Sequence, residues 1–127
     1  MSVHLSQIPA VASLQSHLTT LVSVPRIEPY ADLIAISDIV SQITQGSLTA
    51  ESLEELRALA DDARASLWEH GEATGALTVV QVANRSSAAE DWYLRQPSVH
   101  GDTVDAVLRQ TCLVLGVAVK QCETLLP

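Results

Sequence analysis

Phenylalanine is missing from this 127-residue chain, and aromatic residues of all kinds make up only 3% of it. A core must therefore be built from Leu, Val, Ile and Ala. Positive charge is scarce as well. Seven Lys plus Arg stand against fifteen Asp plus Glu, a formal charge of −8. That balance excludes the basic footprint on which direct nucleic-acid binding depends. Charged residues amount to 17% and hydrophobic residues to 47%, which is not the composition of a disordered chain. The most apolar stretch, Cys112 to Val119, is eight residues long and bracketed by Arg109 and Lys120. It falls far short of the roughly 20 residues that span a bilayer, so no membrane partner is expected. The first residues lack the basic and apolar regions of a secretory signal, and a cytoplasmic location is the expectation.

Recognisable chemistry is sparse too. There is no Gly-rich phosphate loop and no Gly-x-Ser-x-Gly elbow. The Glu-x-x-His pattern of di-metal helical bundles is absent. Cys112 and Cys122 lie ten apart, which on one helix separates them by roughly 15 Å. They cannot pair there, and no His stands at ligand spacing beside them. Neither a metal nor any other cofactor is expected. Glu69-His70-Gly71-Glu72 reads as a solvated helix end.

What the chain does contain is helical periodicity. Thr103 to Leu126 carries apolar residues at Val104, Val107, Leu108, Cys112, Leu115, Val119, Cys122 and Leu126, the spacing of one helix face. Its middle is apolar on further sides, so this helix is buried by neighbours or pairs with another chain. Pro9 opens a helix with Val11, Leu14, Leu18 and Leu21 on one side, ending near Val22. A second helix is predicted over residues 29–45, with Gly46 as its C-terminal cap. A third starts at a Thr49 cap or a Ser52–Glu55 capping box and ends at Gly71. Residues 76–83, rich in Val, are read as helix over strand because no second strand is evident to pair them. Ser87–Glu90 resembles another capping box, opening a short helix that stops before Pro97. The expected architecture is all-α: a compact bundle of four to six helices packed around a buried C-terminal helix, forming one domain over residues 1–127 with residues 1–8 as a loose start.

Three function classes follow. The first is an acidic interaction or regulatory protein that acts by protein–protein contact, as a homodimer. Leu113, Gly116 and Val117, on the over-apolar helix, are the expected dimer interface. Residues 51–72 hold seven acids and two bases, so Glu54, Asp61 and Asp62 could meet a basic protein partner. Trp92, Tyr93 and Arg95 have the composition of a contact hot spot. The second class is a small helical-bundle enzyme. Arg64 and His70 fit the Arg-x(4–6)-His spacing of HEPN-type ribonucleases, in which Arg would hold a phosphate and His would move a proton. Ala65 stands where that family usually carries a polar residue, and the surroundings are acidic. Arg95 and His100 fit the spacing too, but Pro97 interrupts them. The third class is a small-molecule binder with an apolar pocket in the bundle core, beside Trp92.

Overall fold

A computed structural model describes residues 3–20, 31–96 and 103–126. Six α-helices occur among them: α1 (Pro9–Thr19), α2 (Ala31–Ile43), α3 (Ala50–Ala73), α4 (Val79–Ala83), α5 (Ser87–Arg95) and α6 (Thr103–Leu125). No strand does, and His4 and Ser47 form an isolated antiparallel bridge. The fold is the expected all-α bundle. Helix α6 packs most extensively on α3 and next on α1, while α2 leans on α3 and α1. The short α4 rests on α3.

The periodic residues close the core. Leu53, Leu56, Ala60, Ala63 and Leu67 are buried along α3, and Leu108, Cys112, Leu115, Val119 and Cys122 along α6. Leu14 and Leu18 of α1 and Leu33, Ile36 and Val40 of α2 complete it. Helix α6 is not surrounded, however. Leu113 is 46% and Val117 59% exposed, so the most apolar run leaves one side uncovered.

Several boundaries differ from expectation for local reasons. The start of the chain is not loose from residue 3 onward. Leu5–Gln7 forms a 3-10 turn, and Leu5 and Ile8 are fully buried. The Leu5 N–H donates to the Gly46 carbonyl (3.1 Å), and the Leu48 N–H to the Val3 carbonyl (2.6 Å). Two apolar residues are too few to show a period, yet enough to anchor a strap over the α2–α3 turn. Thr49 caps α3 as one of the two expected signals: its hydroxyl accepts the Ser52 N–H (3.1 Å), and Ser52 Oγ accepts the Thr49 N–H (2.8 Å). The residues of the Ser52–Glu55 box lie inside the helix. Ser86, not Ser87, caps α5 by accepting the Ala89 N–H (3.2 Å). The expected end of α1, the start of α2 and the loop before α6 lie outside the described residues.

Gly71 does not end α3. It sits inside the helix, buried, and the chain reverses at Gly75, whose φ is +79°. A Cβ on Gly71 would overlap the Tyr93 hydroxyl and lie 2.7 Å from Leu77 Cδ1. The position is small because α5 and the α3–α4 turn press on it. Gly116 in α6 meets nothing within 4 Å of where its Cβ would be. The same substitution therefore has opposite signs at the two sites. Gly71→Ala is expected to cost about 1–3 kcal/mol through overpacking. Gly116→Ala is expected to gain about 0.5–1 kcal/mol of helix propensity. Urea denaturation of both variants, at concentrations below any self-association, checks this, and a stabilised Gly71→Ala protein would refute the packing assignment.

One histidine joins α1 to α6. Thr111 Oγ1 donates to the Val107 carbonyl at 2.8 Å, which uses its single proton. His17 Nε2, 2.9 Å from the same oxygen, must then be the donor between α1 and α6. Burial holds the His17 imidazole below its ordinary value of 6.5. In the window just below 6.5, the unfolded chain binds the proton more readily than the folded one, so stability contributed at neutral pH is lost as pH falls. The drop in urea midpoint between pH 7 and pH 5 should be smaller in His17→Gln than in the parent. Equal drops would show that His17 adds nothing to the acid response.

Candidate interaction surfaces

Two of the candidate surfaces are set by how α5 is held against α3 and α6. Arg109 of α6 is buried and donates through Nε to Asp105 Oδ2 at 2.6 Å. Its Nη1 donates to the Tyr93 carbonyl in the last turn of α5. The guanidinium carbon lies 4.3 Å from the Tyr93 ring centroid, a cation–π contact. The Tyr93 ring meets Trp68 of α3 edge-on, with centroids 5.5 Å apart and planes at 67°. Burial, reinforced by the Asp105 carboxylate, raises the Tyr93 phenol above its usual value. A second clamp is ionic. Glu90 of α5 receives Arg85 Nη2 at 2.7 Å and lies 3.6 Å from Arg64 Nε of α3. Arg85 also stands over the Trp68 ring, 5.5 Å from its centroid.

Three of the open surfaces among the described residues carry large apolar or charged groups. The first is a groove of about 510 Å³ between α3 and α6. Leu113, Gly116 and Val117 line it, together with three cations, Arg57, Arg64 and Lys120, and three anions, Asp61, Asp91 and Glu123. Arg57 bridges Glu54 and Glu123, at 3.0 Å from the latter, and Arg64 lies 3.4 Å from Asp61. The second surface is a cleft of about 230 Å³ between α4 and α5, lined by Trp68, Leu77, Val80, Ala89 and Trp92, with Gln81 and Asn84 as polar members. The third is a groove of about 330 Å³ between α2 and α3, lined by Ile36, Ile39, Leu59 and Ala65 with Asp62 and Glu69.

The residues singled out from the sequence distribute unevenly over these surfaces. The three expected dimer residues do come together, in the α3–α6 groove. Trp92 is 51% exposed and belongs to the α4–α5 cleft, whereas Tyr93 is only 3% exposed. Tyr93 is thus a core residue clamped by Arg109 and Trp68, and it offers no face to a partner. Spacing alone could not separate the two adjacent rings. Arg95 is exposed in the last turn of α5. Glu54 and Asp61 are paired to Arg57 and Arg64, so their charge is matched within the chain. Asp62 has no such cation among the described residues. Arg64 and His70 are six residues apart on α3, about 120° apart around the helix axis. Arg64 is engaged by Asp61 and Glu90. The two do not converge on one cleft.

Other reactive groups are sequestered. Cys112 and Cys122 are buried free thiols. Burial pushes the Cys112 thiol up to about 12, which keeps it protonated and unreactive at neutral pH. Among the described residues no group of three or more His, Cys, Asp or Glu could hold a metal ion. Nor is any described helix long and apolar enough to cross a membrane. Compared with protein-family models, with curated proteins and with solved structures, the chain matches none.

The α5 clamp can be tested directly. Asp105→Ala leaves a buried guanidinium without its carboxylate, and removing one partner of a buried pair costs about 3–5 kcal/mol. Adding Arg109→Leu should recover part of that loss. A double-mutant cycle by chemical denaturation reads the coupling, and additive losses would show that the two side chains act independently.

Proposed function

We propose that this chain is a non-catalytic interaction protein of regulatory type, which pairs with a second copy through the α3–α6 groove and holds other proteins on its remaining surfaces. The observation that carries the reading is the charge on that groove. Two copies of a −8 chain repel over most of their surface. At the α3–α6 groove that repulsion is offset locally, because three cations match three anions around an apolar floor. An isologous contact sets the same patch against itself, and a balanced patch with exposed Leu113 and Val117 is suited to it. Gly116 adds room for close approach, since nothing stands over it.

The test is mass by light scattering during size-exclusion chromatography, from low to high micromolar concentration. The parent should run at twice the 13.6 kDa chain mass, and Val117→Glu should run as a monomer with unchanged helicity. A parent that is monomeric throughout the range overturns the pairing.

A small-molecule reading has one observation in its favour, the cleft between Trp68 and Trp92. It lies beside α4 and α5 at the surface, not within the bundle core. Quenching of Trp fluorescence by an apolar probe, lost in Val80→Asp, would support this reading over protein contact there. The ribonuclease reading gains no comparable observation, because Arg64 and His70 diverge around α3.

A further inference from the structure

The acids of α3 fall into two sets that the linear sequence does not separate. Glu54 and Asp61 lie toward α6, where Arg57 and Arg64 answer them. Asp62 and Glu69 lie toward α2 and line the α2–α3 groove. Glu55 continues the same line, since Glu55, Asp62 and Glu69 are seven residues apart and positions seven apart stack along one helix face. None of the three has an ion-pair partner among the described residues. Helix α2 contains no Lys or Arg, so the other wall of the groove supplies none either. The floor between these carboxylates is apolar, and Ile39 is 43% exposed on it.

We propose that the α2–α3 groove is a docking site for a cationic amphipathic helix of a partner protein. The commitment to this occupant comes from charge complementarity. Among the described lining residues the only charged groups are carboxylates, and an apolar floor so edged favours a helix that is apolar on one side and basic along its flanks, the arrangement of helix-in-groove recognition. The spacing specifies more. Asp62 and Glu69 are about 10 Å apart along α3 at 1.5 Å per residue. A partner helix lying along α3 meets both with Lys or Arg at i and i+7, and sets apolar residues at i+3 and i+4 onto Ile39 and Ala65. A second copy of this chain does not fit, because the groove would oppose its own negative charge. The proposal rests on the reading of the chain as an interaction protein, and not on its dimerisation.

The experiment titrates the full chain with a synthetic helical peptide that carries Lys at i and i+7 flanking a Leu stripe, followed by fluorescence anisotropy at 0.15 M salt. A scrambled peptide of identical composition serves as comparison. Selective binding of the patterned peptide is expected, weakened about tenfold or more by Asp62→Asn with Glu69→Gln, and also weakened by Ile39→Ser. Glu54→Gln with Asp61→Asn removes the same charge on the α6 side of α3 and should leave affinity within about twofold. Equal binding of the scrambled peptide, or equal loss from both acid pairs, means general attraction to an acidic protein and overturns the site. The same titration on Val117→Glu separates the two proposals. Selective binding alongside a monomeric parent removes the dimer and keeps the groove, while a dimer without selective binding removes the groove alone.

Discussion

Few cations serve many anions in this chain, and their placement governs much of the rest. Four of the five described arginines are each given a task. Arg57 ties α3 to α6 through Glu123, Arg64 ties α3 to α5 through Glu90, and Arg85 closes the same carboxylate from the α4–α5 turn. Arg109 is taken into the interior to hold α5 by Asp105 and the Tyr93 carbonyl. The surface pairs contribute little stability, on the order of 0–1 kcal/mol each. Their consequence is spatial. By drawing these cations to the α5 and α6 side of α3, they leave carboxylates as the only charged groups lining the α2 side among the described residues. The buried Arg109 is different in kind, because a desolvated guanidinium must find its partners or unfold the region around it.

Helices α3 and α6 were legible from sequence because each carries five or more apolar residues at one helical period. Leu113, Gly116 and Val117 were legible as surplus, since a bundle of this size has no further face to cover them with. The short elements were not legible. Leu5 and Ile8 look like any two apolar residues until the α2–α3 turn is seen to accept them. Gly71 reads as a stop because glycine usually marks a helix end, yet here its missing Cβ makes room for the Tyr93 hydroxyl and Leu77. Trp92 and Tyr93 differ in burial because of where α5 lies, which no local pattern records. The division of Asp61 from Asp62 has the same origin. The two are neighbours in sequence, about 100° apart around the helix, and only the positions of α6 and α2 give them different surroundings.

Several groups that could do acid–base or nucleophilic work at neutral pH are engaged in structure. His17 donates to a hydroxyl between α1 and α6, Cys112 lies in the core, and Arg64 faces two carboxylates. General acid–base catalysis asks for a group that reaches a substrate with its proton free to move. The uncovered apolar strips are bordered differently, one by balanced charge and the other, among the described residues, by carboxylates as its only charged groups. They lie on different sides of α3, so pairing through the first leaves the second open. A dimer built that way would carry two acidic grooves. A partner with two cationic helices, or one that is itself dimeric, would then be held at both, the second contact forming at the high effective concentration set by the first. Modest affinity at each groove would suffice, because self-association would convert two weak contacts into one durable one.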